Sequence, residues 1–113
     1  MWEELKKMAD NIGYRLFLDD IRDAPGGDWV IARNAEEAKS IVQQKGFPSF
    51  ISFDHDLGLE ESGYDFAKWL VDYDMDNNVV PEDFSFNVHS ANPVGATNIK
   101  SLLDNYISFK KSQ

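Results

Sequence analysis

Three short apolar stretches of this sequence end in side chains equipped for chemistry. Asp19-Asp20 follows Tyr14 to Leu18, Asp54-His55-Asp56 follows Phe50 to Phe53, and His89-Ser90 follows Phe84 to Val88. If the three ends meet, several carboxylates share one small volume. Two like charges ~4 Å apart at an effective dielectric of ~20 repel by about 4 kcal/mol. Such a group either takes up protons or binds a cation. Asp19, Asp20 and Asp54 form a hard oxygen set that suits Mg²⁺, with Mn²⁺ the near alternative, and the ion's water positions accept phosphate oxygens. The competing reading is that each Asp is a turn former or a cap.

His55 and His89 are the only histidines. Imidazole titrates near ~6.5, which suits proton transfer at neutral pH. Asp56 is placed to orient His55 or to complete a metal shell. Ser90 and the amides after Pro93 offer a phosphate cradle at a helix amino terminus. Asn92 belongs to that substrate side too, although capping alone explains it. Trp2, Trp29 and Trp69 read as core or half-buried aromatics without a site role.

The elements that must position these groups follow from periodicity. Trp2, Leu5, Met8, Ala9 and Ile12 recur at helical spacing, so residues 1–13 read as an N-terminal helical extension ended by Gly13. Tyr14–Leu18, Trp29–Ala32, Phe50–Phe53 and Phe84–Val88 read as strands. Asn34 with Glu37 makes a capping box for a helix that stops at Gly46. A helix runs around Tyr64 to Tyr73, with Asp72, Asp74 and Asp76 as a solvated, frayed end. Asn92 and Pro93 open a last helix, and residues 107–113 read as tail. Strands alternating with helices predict an α/β three-layer sandwich, with a parallel sheet of about four strands in the order 2-1-3-4. In such a sheet, ligands bind beyond the carboxyl ends of the strands where the order reverses, here between strands one and three.

The 113 residues fit a single domain spanning 1–113. Cysteine is absent, so disulfides, thiolate metal sites and cysteine nucleophiles are excluded. The segment MWEELKK is too charged for a secretory signal, and no apolar run reaches ~18 residues. The expected location is the cytoplasm, away from membranes. The net charge is -9, with a pI near 4.5. That balance argues against nucleic-acid capture by bulk charge, so a phosphate ligand needs local help.

Taken together, YRLFLDD, FISFDHDLG, SGYDFAKWL and NVHSANPVGA resemble a response-regulator receiver domain, and more closely its variant, the cyclic-phosphate-processing receiver. The likeness runs from about Tyr14 to Tyr106. It implies that Asp19-Asp20 is the metal-binding pair, Asp54 the phosphoacceptor position and Ser90-Ala91 the hydroxyl-small pair. The usual fifth strand with its lysine is missing, since Lys100, Lys110 and Lys111 lie on or beyond the last helix. Two histidines stand in its place, and carboxylates with imidazoles suit hydrolysis better than signalling. The resemblance implies processing of cyclic phosphate ends on RNA or nucleotides, with Asp54, His55 and His89 catalytic and an RNA-repair or other protein as possible partner. Two rival readings are a phosphoacceptor signalling domain and a non-catalytic acidic protein-binding module.

Overall fold

The computed structural model describes residues 13–54, 62–90 and 92–112. The helix expected before Gly13, and the site candidates His55 and Asp56, lie outside the described residues. Four strands, β1 (Arg15–Leu18), β2 (Trp29–Ala32), β3 (Phe50–Phe53) and β4 (Ser85–Val88), form one parallel sheet in the order β2-β1-β3-β4. Three helices join or follow them: α1 (Ala35–Lys45), α2 (Gly63–Asn77) and α3 (Pro93–Lys111). The connection from β1 to β2 contains no helix. No described helix is long and apolar enough to cross a membrane.

Local sequence accounts for the helix limits. Asn34 Oδ1 accepts from the Glu37 amide at 2.8 Å to start α1, and Gly46 ends it at φ 92°. Such a conformation is cheap only without a Cβ. Ser62 and Asp65 form a reciprocal capping box at the start of α2. Asn92 caps α3, and Pro93 occupies its first turn.

The alternation of side chains along each strand divides the sheet into two faces. Register pairs Leu16 with Val30 and Ile51, Leu18 with Ala32 and Phe53, and Phe53 with Val88. These residues face the helices and join one core with Val42, Phe66, Leu70, Ile99 and Leu103. The crossovers from β2 to β3 and from β3 to β4 travel the same way across the sheet. Right-handed connections therefore put α1 and α2 on one side, and α3 packs beside α2. All described helices thus share a face, and the second helical layer expected of a three-layer sandwich is not among them.

Two expectations need correction. Residues 107–111 are the end of α3 and not a tail, since the helix continues to Lys111. Lys110 anchors that last turn by donating to Asp74 Oδ2 at 3.0 Å and Asn78 Oδ1 at 2.7 Å. Its charge also complements the helix carboxyl terminus. Asp74, in turn, is not at a solvated end: it is fully buried. Its Oδ1 accepts from the Val79 and Val80 amides, both at 2.7 Å, and Tyr106 Oη–H donates to Oδ2. Those amides follow the left-handed residue Asn78, where the chain leaves α2. The buried carboxylate ends the helix and fastens the turn toward β4. Asp72 and Asp76 are exposed, as expected.

Candidate functional site

On the face away from the helices, register lines up Phe17, Ile31, Ser52 and Asn87 across the sheet. Two residues further along the four strands stand Asp19, Arg33, Asp54 and His89. Side chains two apart share a face. The parity that buries Leu18 and Phe53 against the helices therefore turns Asp19, Asp54 and His89 to the other side. Asp19, Asp54 and His89 each bring one ligand atom within 4.8 Å of the others. Asp20 is half-buried and lies outside this group.

Asp19 is both a turn former and a site residue, one oxygen for each. Oδ1 accepts from the amides of Ile21 at 3.0 Å and Arg22 at 2.9 Å, which closes the bend after β1. Oδ2 faces His89 Nε2 at 2.9 Å. Burial raises the Asp19 pKa, but the Arg22 and Ile21 amides and His89 outweigh it, and the carboxyl titrates below its ordinary range. Asp54, also buried, follows β3, and its amide donates to Leu18 O at 2.9 Å. That bond ties the two acidic strand ends together.

His89 is held on three sides. Its ring lies parallel to Phe17, with centroids 4.8 Å apart at 3°. Nδ1 meets Ser52 Oγ at 2.7 Å, and Ser52 Oγ lies 2.6 Å from Asn87 Oδ1. Since the Asp19 carboxylate only accepts, Nε2 carries a proton toward it. The Ser52 hydroxyl has a single proton, which serves either Asn87 or His89. The ring is therefore fixed between Ser52 and Asp19, with Asn87 Oδ1 and His89 Nδ1 as the two acceptors open to the Ser52 proton.

Sequence reasoning missed Ser52, Asn87, Phe17 and the two arginines. The signal was present: Ser52 and Asn87 are polar residues two positions before Asp54 and His89, on the same face. Arg22 Nη1 donates to His89 O at 3.2 Å and stands 3.9 Å from Asp19 Oδ2, with its side chain 53 % exposed. Arg33 braces the loop through Asp19 O at 3.2 Å and Asp23 Oδ1 at 2.9 Å. Of the remaining candidates, Ser90 Oγ accepts from the Asn92 amide and Asn92 Oδ1 from the Gly95 amide. Each spends an acceptor on starting α3. Among the described residues no lysine joins the acidic group: Lys100 pairs with Asp104, and Lys110 with Asp74.

Two carboxylates and an imidazole, converging from three strand ends at the point where strand order reverses, have the donor chemistry of a divalent-cation site. The fold and motifs define a receiver-like α/β domain. Residues 14–105 match the cyclic-phosphate processing receiver domain. The chain belongs to that family. A comparison with curated proteins finds no match. One solved structure, a yeast Spc42 trimeric coiled coil (amino acids 181–211) fused to another structure, superposes with a TM-score of 0.55. It is 15 % identical and covers 90 % of this chain and 83 % of that one, so the likeness carries the fold alone.

Proposed function

We propose that this domain opens cyclic phosphates on RNA or nucleotide ends by metal-dependent hydrolysis in the cytoplasm. The observation that carries this reading is the convergence of Asp19, Asp54 and His89 in a chain of this family. The Asp19 and Asp54 carboxylates would hold a divalent ion, with His89 beside them as the proton-bearing group. Two carboxylates that leave water positions open suit Mg²⁺ or Mn²⁺. When bound there, such an ion supplies neutralisation of phosphate oxygens and orientation of water. Asp20 then adds charge nearby without joining the described group.

The chain's own residues supply the rest. Water adds to phosphorus while the bond from phosphorus to one ribose oxygen breaks, leaving a phosphomonoester and a free hydroxyl. His89, backed by Ser52, gives its proton to the departing ribose oxygen. His55 takes the proton from water, with Asp56 orienting it. The exposed Arg22 guanidinium receives outward-facing phosphate oxygens, and Ser90 and Asn92 line the substrate side. This reading is preferred to signalling because the lysine that reads an aspartyl phosphate in an ordinary receiver has no counterpart in the described group.

The test is turnover of a 2′,3′-cyclic phosphate by the purified protein, treated with EDTA and then resupplied with Mg²⁺ or Mn²⁺. Turnover is expected only with the ion. His89→Ala is expected to lose about 10²-fold or more, the range of a general acid or base. Absence of turnover with either ion on any cyclic phosphate refutes the proposal.

A further inference from the structure

The connection from β1 to β2 begins at Asp19, and most of it lies open to solvent. Of residues 20–28, Asp20 and Ala24 are half-buried and the rest are exposed. Gly26 and Gly27 take φ of 68° and 74°, a region that favours glycine. Segments with so little buried surface open most easily. Arg33 reaches in from a firmer element. It follows the last residue of β2, level with Asp19, whose amide donates to Ala32 O at 3.1 Å. The Arg33 amide donates to Glu37 Oε1 at 3.1 Å, which ties its backbone to the first turn of α1. Its guanidinium then spreads over the bend. Nη1 donates to the carbonyls of Asp19, at 3.2 Å, and of Arg22, while Nη2 donates to Asp23 Oδ1 at 2.9 Å. The bend is thus closed twice. Asp19 Oδ1 gathers the amides of Ile21 and Arg22 from one side, and Arg33 gathers the carbonyls of Asp19 and Arg22 from the other. Arg22 leaves this bend with Nη1 3.2 Å from His89 O and 3.9 Å from Asp19 Oδ2.

We propose that Arg33 is a positioning residue for the hydrolysis set out above, a role that rests on that reading. By clamping the bend from Asp19 to Asp23, it holds the Arg22 guanidinium where phosphate oxygens of the substrate meet it. Arg33 itself touches no reacting atom. Its charge is answered by Asp23, and its Nη1 is spent on carbonyls, so the anion is left to Arg22. The clamp needs a planar fork. One lysine ammonium is a point charge, without the fixed geometry that spans two carbonyls and a carboxylate together. Without the clamp, Arg22 keeps its charge but moves with an exposed loop, and the orientation it gives the phosphate is lost.

The experiment compares the unchanged protein with Arg22→Ala, Arg33→Ala, Arg33→Lys and the double alanine variant. It measures steady-state turnover of a mononucleotide 2′,3′-cyclic phosphate and, separately, amide hydrogen exchange. Arg22→Ala is expected to lower kcat/KM about tenfold or more, the worth of a hydrogen bond to a charged group, chiefly through KM. Arg33→Ala should reproduce that loss, and the double variant should fall no further, because one residue acts through the other. A merely structural Arg33 would lower the active fraction, leave KM alone and add its loss to that of Arg22→Ala; that result overturns the proposal. Arg33→Lys keeps the charge without the fork and should recover only part of the loss. Full recovery would make charge the cause and overturn the clamp. In Arg33→Ala the amides of Ile21 and Arg22 should exchange about tenfold faster or more, as local opening becomes easier, while those of Leu16 and Leu18 keep their rates. Unchanged exchange at the bend overturns the proposal whatever turnover shows. If no cyclic phosphate is turned over by the unchanged protein, the hydrolytic reading fails and exchange alone decides: faster exchange confined to the bend supports the clamp on Arg22, and unchanged exchange refutes it.

Discussion

Asp19 and Asp74 invite comparison. Both are fully buried, both titrate below the ordinary carboxylate range, and both spend Oδ1 on two backbone amides of a turn. They part at Oδ2. Asp74 Oδ2 receives the Tyr106 hydroxyl and the Lys110 ammonium, so its charge is answered within the fold. Asp19 Oδ2 faces an imidazole, with a second carboxylate, Asp54, in the same group and, among the described residues, the half-exposed Arg22 guanidinium 3.9 Å away. The same local device serves two ends. At one pole of the sheet it is closed on itself and holds α2, β4 and α3 together. At the other it meets His89 and Asp54 beyond the carboxyl ends of the strands.

The largest effect expected is on stability at Asp74. Asp74→Ala leaves Lys110 and two amides without their acceptor. Removing one partner of a buried pair costs about 3–5 kcal/mol, which denaturant unfolding would measure. The activity of the folded fraction should be unchanged. Asp54→Asn should do the reverse. It removes a like charge beside Asp19, so stability stays level or rises by up to about 1 kcal/mol while turnover is abolished. A large stability loss there would erase the contrast.

Acid provides the next test. Burial raises the Asp74 pKa, but Tyr106, the Val80 amide, Lys110 and the Val79 amide overcome it and lower the net value. A depressed folded pKa contributes stability that is complete above the unfolded value of ~3.9 and is lost as pH falls through the folded value. Asp74→Asn should therefore flatten the acid limb of a stability–pH curve below about pH 4. Tyr106→Phe removes one hydrogen bond to a charged group, a loss of about 1.5–3 kcal/mol, without eliminating that limb. Smallest of all is Asp20→Asn. It should weaken thermal stabilisation by added Mn²⁺ only slightly, because Asp20 stands outside the described group. Asp19→Asn should remove that stabilisation.

Much of the fold was legible. Four apolar runs bounded by Gly, Pro and Asp can hardly be anything but strands, and Asn34 and Asn92 announce their helices. Strand order followed from the alternation of elements, and the convergence of Asp19, Asp54 and His89 followed from strand order. Asp74 was misread because its neighbours Asp72 and Asp76 share its charge. Only the tertiary approach of Tyr106 and Lys110, 32 and 36 positions away in the chain, sets it apart. The arginines went unnoticed for a similar reason. Arg22 looks like loop solubility until the bend at Asp19 folds it back over His89.

Strands only four residues long, with core on one side and site on the other, have a consequence for how this domain can change over time. An insertion or deletion of a single residue within β3 would turn Ile51 and Phe53 outward and Asp54 inward, exchanging interior for reactive rim in one step. Tolerated length variation should therefore collect in the connections, above all the helix-free span between β1 and β2, where the chain can grow or shrink without disturbing which way a single strand residue points.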